Sequence, residues 1–530
     1  MLFSSGPNHN NVPCLKVQNT IIKYTCSIKF LGITLTSKLN WTTHIEDILN
    51  KARKGIQLLK VISSHKWGQN TMVLRNLATA LVRSKLTYAQ EVYFSAPTHL
   101  LKKVQSLDCK AYKLALGVPY HANNLGTYRE MNILPLDAIR KDSSSKFIIK
   151  SRACRNSCLQ EVNVTASSHF VKRGKVIDYI KPIKSYTQDI INKLPTQGDE
   201  VASFNDIPII PFWAQSKAKF DIDYGITSKA TQQHALKSTT LEHIANSYPN
   251  HLQIYTDGSK LDNGKTGAAF SIPTMKVTKK FYLGKIFSVF TAELIGIQKA
   301  LEYLQENPLA KTHIVICVDS KSAITAIQNN YNKYRSQIIN KIQIIINYLM
   351  QSGKYINFLW IPSHCEIYGN DCVDKAAKAG AENTPQAIQL NIPLDIHEYN
   401  CEIRRLIVEN LSSFYSNLST TYFQNCFLAT SDYKTTMIWK HASTPHARSI
   451  VTLMSKLRLN AITTKYVNNL TCPCGINLSV KHLLLHCPLT EVVRKDLKNN
   501  SVSIKNILND INILRKYAEV LLSSNVRNLL

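Results

Sequence analysis

Four acidic residues stand where a carboxylate is costly unless a cation meets it. Asp257 ends the apolar run of "IYTDGSK" (254–260), and Glu293 opens the helical stretch "FTAELIGIQKALEYLQ" behind Thr291, a candidate N-cap. Asp319 ends "HIVICVD", and Asp374 lies early in "NDCVDKAAKAGA". A lone carboxylate at the end of a buried strand is unfavourable, and several at one point cannot all ionise unaided. Hard divalent cations resolve the conflict, because Mg²⁺ is held by a few carboxylates together with water and substrate phosphates. Two such ions about 3.5–4 Å apart form a clamp for in-line phosphodiester cleavage. Taken singly, each acid reads as a turn residue or a helix-dipole partner. Their order and positions together point to a metal site.

A second set of side chains suits a softer ion. Cys472, Cys474, His482 and Cys487 follow the pattern C-x-C-x7-H-x4-C, with His486 as a competing ligand. Three thiols and an imidazole fit tetrahedral Zn²⁺ in a closed structural site, although C-x-C is tighter than the usual spacing. The alternative is three reduced thiols beside a leucine-rich helix. A third feature is cationic. On a helix marked by Leu100, Val104, Leu107, Ala111 and Leu114, the lysines Lys102, Lys103, Lys110 and Lys113 are expected to face away from the apolar stripe. Such a face is either solvated surface or a phosphate-contacting one.

The elements that must position the four acids alternate between strand and helix over 250–385. "HLQIYTDGSK", "GKTGAAFSI" and "KVTKKFYLG" read as three strands, followed by a helix, the strand "HIVICV", an amphipathic helix, the strand "YINFLWIPSH" and a last helix. This order implies a mixed sheet with helices packed on it, in which the ends of adjacent central strands are neighbours. Before it, 28–35 reads as a strand broken by a glycine, and helices follow from about 43. The stretch 151–249 loses periodicity and includes "IPIIPFWAQ" (207–215), a docking segment or linker. After 390 the pattern is mostly helical.

Lysine and arginine outnumber aspartate and glutamate 64 to 35, a net charge of +29 over 530 residues, which favours a polyanionic partner, nucleic acid first. Thirteen cysteines, mostly scattered singly, and no secretory signal suit a reducing compartment. No apolar run reaches the length of a membrane span, so a soluble intracellular protein with no membrane partner is expected. Nucleus or cytoplasm is left open, as is the oligomeric state.

The blocks "TDGS" (256–259), "TAEL" (291–294), "VDS" (318–320) and "WIPSHCEIYGNDCVDKAAK" (360–378) resemble, in order, those of a type 1 ribonuclease H. The resemblance implies a ribonuclease H-like α/β fold and cleavage of the RNA strand of an RNA/DNA hybrid, leaving 5′-phosphates. Asp257, Glu293, Asp319 and Asp374 would bind two Mg²⁺ ions, which Mn²⁺ can replace. His364 would assist water activation or product release, while Gly258 and Ser259 would let the hybrid backbone approach. One position departs from the pattern: Glu366 stands where retrotransposon versions usually carry glycine, which bears on metal binding or loop conformation.

The flanks are similar to a non-LTR, jockey-like retrotransposon reverse transcriptase. "KFLGITLTSKLNWTTHIEDILNKARKGIQLLK" (29–60) resembles its thumb and connection region, and 455–488 its C-terminal tail. The expected organisation is therefore a thumb/connection-like region at 1–150, a linker at 151–249, the ribonuclease H domain at 250–385 and a helical region with the Cys/His cluster at 386–530. The chain has no Asp-Asp dipeptide of the kind a polymerase palm needs, and Met1 looks internal to a longer element or the start of a truncated copy. No polymerase activity is expected. The alternative function is a catalytically impaired module of the same fold that still binds nucleic acid.

Overall fold

The structure is a computed structural model of the chain. It describes residues 16–18, 20–21, 25–37, 40–64, 68–153, 171–172, 175–176, 183–194, 218–224, 233–308, 310–329, 336–418, 422, 426, 447–462, 470–497 and 503–524. The linker reading of 207–215 lies outside these residues. Two compact units separate: one within Met1–Ser145, Val164–Ile190 and Arg405–Leu530, the other within Lys146–Asn163 and Ile191–Arg404.

The second unit holds the four acids. Its seven strands are β1 (Lys219–Asp221), β2 (Leu252–Lys260), β3 (Thr266–Ile272), β4 (Val277–Gly284), β5 (His313–Val318), β6 (Tyr355–Trp360) and β7 (Ile388–Gln389). They form one sheet in the order β7-β4-β3-β2-β5-β6-β1. β2, β3 and β4 run as an antiparallel meander, and β5, β6 and β1 continue from β2 in parallel. β-Branched residues dominate β5, and from Ile314 to Val318 every residue is buried, as a strand covered on both faces requires.

Helices cover both faces. The helices of this unit are α1 (Gln233–Ser247), α2 (Val289–Glu306), α3 (Lys321–Gln328), α4 (Gln337–Gln351) and α5 (Tyr368–Ala381), and α6 (Ile396–Ser416) begins in it and runs on into the segment of the first unit that starts at Arg405. On one face Ile244 and Tyr248 of the α1 region and Val373, Ala376 and Ala377 of α5 meet Tyr255, Ala269, Cys317 and Leu359. On the other, α2 covers the strand residues of opposite parity, with Tyr303 against the Phe270 ring at 5.4 Å. The sheet thus draws in β1, α1 and β7, which lie beyond the stretch 250–385.

The first unit is mainly helical. Its Ser27–Phe30 and Ile33–Thr36 strands make a hairpin rather than one broken strand, turning at Leu31 and Gly32 with φ of 46° and 81°. The helices Thr42–Ile62 and Thr98–Leu116 share one apolar core with Met454, Leu457, Leu483, Tyr517 and Leu521. Residues from both ends of the chain are therefore parts of one packed body. Buried polar ties reinforce it: Arg458 Nε meets Glu130 at 2.8 Å, and the Tyr422 hydroxyl donates to the same carboxylate at 2.7 Å.

Gly267 of β3 shows how tightly α5 sits on the sheet. A Cβ there would lie 2.2 Å from the Ala381 nitrogen and 2.6 Å from the Gly380 carbonyl carbon, neither of which can swing aside. Gly267→Ala is therefore expected to destabilise this unit by about 1–3 kcal/mol. Urea unfolding of the full chain checks it; an unchanged midpoint would mean that α5 is not seated on β3 in this way.

Candidate active site

Strand register alone places two of the acids together. Val318, the last residue of β5, pairs with Thr256 of β2, so Asp319 and Asp257 follow as adjacent residues on parallel neighbours. Glu293 arrives from α2. The helix begins three residues earlier than its sequence suggests, because Ser288 and not Thr291 is the N-cap, and this puts Glu293 in the second turn. Gly258 allows the approach: a Cβ there would lie 2.4 Å from the Glu293 nitrogen. Gly258 is thus required by helix packing. Its neighbour Ser259 is half-buried.

Asp257, Glu293 and Asp319 each bring a carboxylate oxygen within 4.8 Å of the other two. Asp257 is 7% exposed and Glu293 5%, so water does little to screen them. Burial first, then the Asp319 and Asp374 charges, push Asp257 up to about 7. Burial likewise drives Glu293 well above the usual carboxylate range, and Asp319 upward. Glu293 Oε2 is buried with no hydrogen-bond partner among the described residues. Oxygens around one octahedral Mg²⁺ lie about 2.9–4.2 Å apart. An all-oxygen trio of this spacing, with one oxygen unsatisfied, fits a hard divalent cation.

Asp374 stands apart from this trio. It pairs with Lys378 one turn on along α5, at 2.8 Å, while its charge still acts on Asp257 and Asp319. His364 is exposed on the loop between β6 and α5, and its charge lowers Asp319 against the effect of burial. Glu366 is also exposed and reaches Lys237 of α1 at 3.5 Å. Its φ of 56° is a left-handed conformation natural to glycine, the residue the resemblance leads one to expect there.

Three residues with no role assigned from sequence hold the acids in place. Trp360 Nε1 donates to the Asp319 carbonyl at 3.0 Å. The buried Asn370 side chain hydrogen-bonds the Asp319 carboxylate, and Lys378 holds Asp374. Asn370 and Trp360 lie inside the motif block, but only the folded loop shows where they point.

In the first unit, the ligand atoms of Cys472, Cys474, His482 and Cys487 lie within 4.8 Å of one another. Cys472 Sγ and Cys487 Sγ are 3.7 Å apart, close to the ~3.8 Å between two thiolates on a tetrahedral Zn²⁺. Cys474 Sγ lies 3.1 Å from His482 Nε2. Burial and the charges of His486 and Arg494 lower His482, favouring the neutral imidazole a metal needs. His486 is exposed and outside the group. Among the lysines, Lys102, Lys103 and Lys110 are exposed. Lys113 is not on that face: it is buried and donates to the Tyr120 carbonyl at 2.7 Å and to Asn124 at 2.6 Å, because its position falls where the helix meets the following loop. No described helix is long and apolar enough to cross a membrane.

Residues 249–382 match the family model of RNase H, and this part of the chain is a ribonuclease H domain. Over 184 residues the chain is 21% identical to the RNA-directed DNA polymerase from mobile element jockey of Drosophila melanogaster. The match covers 35% of this chain and 20% of that protein, so the chain spans a small part of its relative.

The acid trio makes metal-free stability depend on pH. Asp257 moves from an ordinary 3.8 to about 7, so between these values the folded state holds a proton that the unfolded state releases. Stability falls as pH rises through this window, by on the order of 2–4 kcal/mol from this group. In EDTA the chain should unfold more readily at pH 8 than at pH 5, and Asp257→Asn should narrow that difference and raise the pH 8 midpoint. Equal pH dependence in both proteins would contradict the buried, mutually repelling arrangement.

Proposed function

We propose that this chain is a divalent-metal-dependent endoribonuclease that cuts the RNA strand of RNA/DNA hybrids, within a retrotransposon-derived protein. The observation that carries it is the trio of carboxylates, two buried and one half-buried, within 4.8 Å inside a ribonuclease H domain. Asp257, Glu293 and Asp319 would hold Mg²⁺ or Mn²⁺, with Asp374 turning from Lys378 to complete the set. When bound, a pair of such ions supplies an activated water and neutralises charge on the leaving oxygen, giving 5′-phosphate products.

The chain's own groups do the rest. The acids, whose hold on protons burial strengthens, would release them in favour of a cation. Trp360 and Asn370 fix Asp319 by its carbonyl and its carboxylate. His364, exposed on the loop between β6 and α5, would assist water activation or product release. The surplus of basic residues supplies phosphate contacts, with Lys102, Lys103 and Lys110 available on an exposed helix face. The shallow groove of a hybrid, with its 2′-hydroxyls, would be read near Ser259.

A labelled RNA/DNA hybrid incubated with the full chain and Mg²⁺ tests this reading. Cleavage should occur, and Asp319→Asn should reduce it by more than the about 100-fold that changes around a metal's ligands reach. Glu366→Gly should leave the rate near that of the parent chain. Hybrid binding without cleavage, with activity gained in Glu366→Gly, would establish the impaired remnant instead.

The Cys/His group we assign to a structural Zn²⁺ that holds the C-terminal segment together. Metal analysis of the purified chain should find one zinc, lost in Cys472→Ser and His482→Ala and kept in His486→Ala. Retention in His482→Ala with loss in His486→Ala would reassign the fourth ligand.

A further inference from the structure

The helix that delivers Glu293 starts on a carboxylate from beyond the matched domain. Glu398, in the first turn of α6, is only 2% exposed. It accepts from the Ser288 N–H at 3.1 Å, from the Ser288 hydroxyl at 2.8 Å and from the Thr291 hydroxyl. The Ser288 oxygen in turn accepts from the Thr291 N–H at 3.2 Å. Glu398 therefore covers the end of α2 where amide groups lack helical partners, and where the helix dipole favours a negative charge.

Three residues before it, Asp395 does the same for α4. Its carboxylate accepts from the Ser336 hydroxyl at 2.6 Å and from the Gln337 N–H. One turn of chain, 395–398, thus fixes the starts of two helices that lie side by side. Glu293 sits five residues into α2, with its backbone nitrogen pressed against Gly258. A slide or rotation of α2 about its start would move that carboxylate relative to Asp257 and Asp319, with which it shares the 4.8 Å group.

We propose that Glu398 is a positioning residue of the nuclease site: it locks α2 so that Glu293 stays within reach of Asp257 and Asp319. The working nuclease then extends past residue 382 to include the 395–398 turn. This inference rests on the metal-dependent reading above. Hydrogen-bond partners around metal ligands typically govern metal affinity or rate by about 10–100-fold, and Glu398 acts one step further out, through the helix start.

The test uses the full chain carrying Glu398→Ala, Glu398→Gln or Thr291→Val, with Asp319→Asn as a control. Three quantities are read: Mn²⁺ binding to the substrate-free protein by calorimetry, kcat and KM on a hybrid, and the thermal midpoint. Glu398→Ala should weaken Mn²⁺ binding and lower kcat by about 10–100-fold, with KM for the hybrid unchanged. Glu398→Gln keeps an oxygen for the two hydroxyls but turns an amide toward the Ser288 N–H, so its effect should be intermediate. Thr291→Val removes one bond and should shift Mn²⁺ affinity least. A lowered midpoint with parental Mn²⁺ affinity and kcat would overturn the proposal and leave Glu398 as a helix cap alone. Should Glu398→Ala not fold, parental Mn²⁺ affinity in both other variants would overturn it as well. If the parent chain binds no Mn²⁺ and Asp319→Asn changes nothing, the metal reading itself fails and takes this inference with it. Loss of Mn²⁺ binding in Asp319→Asn alone overturns only the role of Glu398.

Discussion

Three carboxylates share a space small enough for each to feel the other two, and two of them are almost closed to water. Such a cluster opposes folding until a cation joins it, and the surrounding sheet has to hold it in place meanwhile. The parallel register of β2 and β5 makes Asp257 and Asp319 neighbours without further adjustment. Gly258 brings α2, and with it Glu293, against the same strand end. The core beneath is built from buried strands and from helices on both faces, so that the cost is set against a large apolar burial. Net stabilities of only about 5–15 kcal/mol leave little room for it to be larger.

The rest of the chain treats buried charge differently. In the first unit Arg83 meets Asp108 through two bonds, and Arg458 meets Glu130, with partners of both pairs nearly inaccessible. Arg448 spends its guanidinium on the carbonyls of Ser63, Leu114 and Ala115, capping the end of a helix. Buried charges are thus matched by protein groups wherever their task is architectural. None of the described ion pairs involves Asp257, Glu293 or Asp319, and the basic Lys378 is turned to Asp374 instead. Three acids that converge without a basic partner among the described ion pairs form a group suited to a cation.

Much of this was legible from residue types in order. A strand-ending aspartate, repeated after a second buried strand, fixes two acids once the strands are parallel neighbours, and the four motif blocks carry that arrangement. The Cys/His spacing likewise named the four side chains that converge. What escaped were consequences of packing. Lys113 has the periodicity of a surface residue, yet Tyr120 and Asn124, just beyond the helix, supply its hydrogen bonds. Thr291 looked like a helix cap because a hydroxyl precedes an acidic first turn, but Ser288 also qualifies, and Glu398 from more than a hundred residues away favours the earlier start. Long-range partners of this kind leave no local pattern. The edge strand Lys219–Asp221 was hidden for a related reason: three residues carry too little alternation to be read.

The loop between β6 and α5 joins these threads. Its residues alternate: His364 and Glu366 face solvent, while Cys365 is buried and Ile367 enters the core beside Ile361 and residues of the α1 region. Both exposed residues hold positive φ, at 55° and 56°, a conformation that costs a non-glycine residue roughly 1–2 kcal/mol. Two such residues persist only where the flanking side chains are anchored, and Cys365 and Ile367 provide that anchorage from below. α1 adds a tether from outside, through Lys237 to Glu366. Glutamate at 366 thus bears on the energy of the loop through its backbone, and its exposed carboxylate turns to Lys237. The anchored backbone then leaves His364 exposed on the loop, from where its charge acts on Asp319.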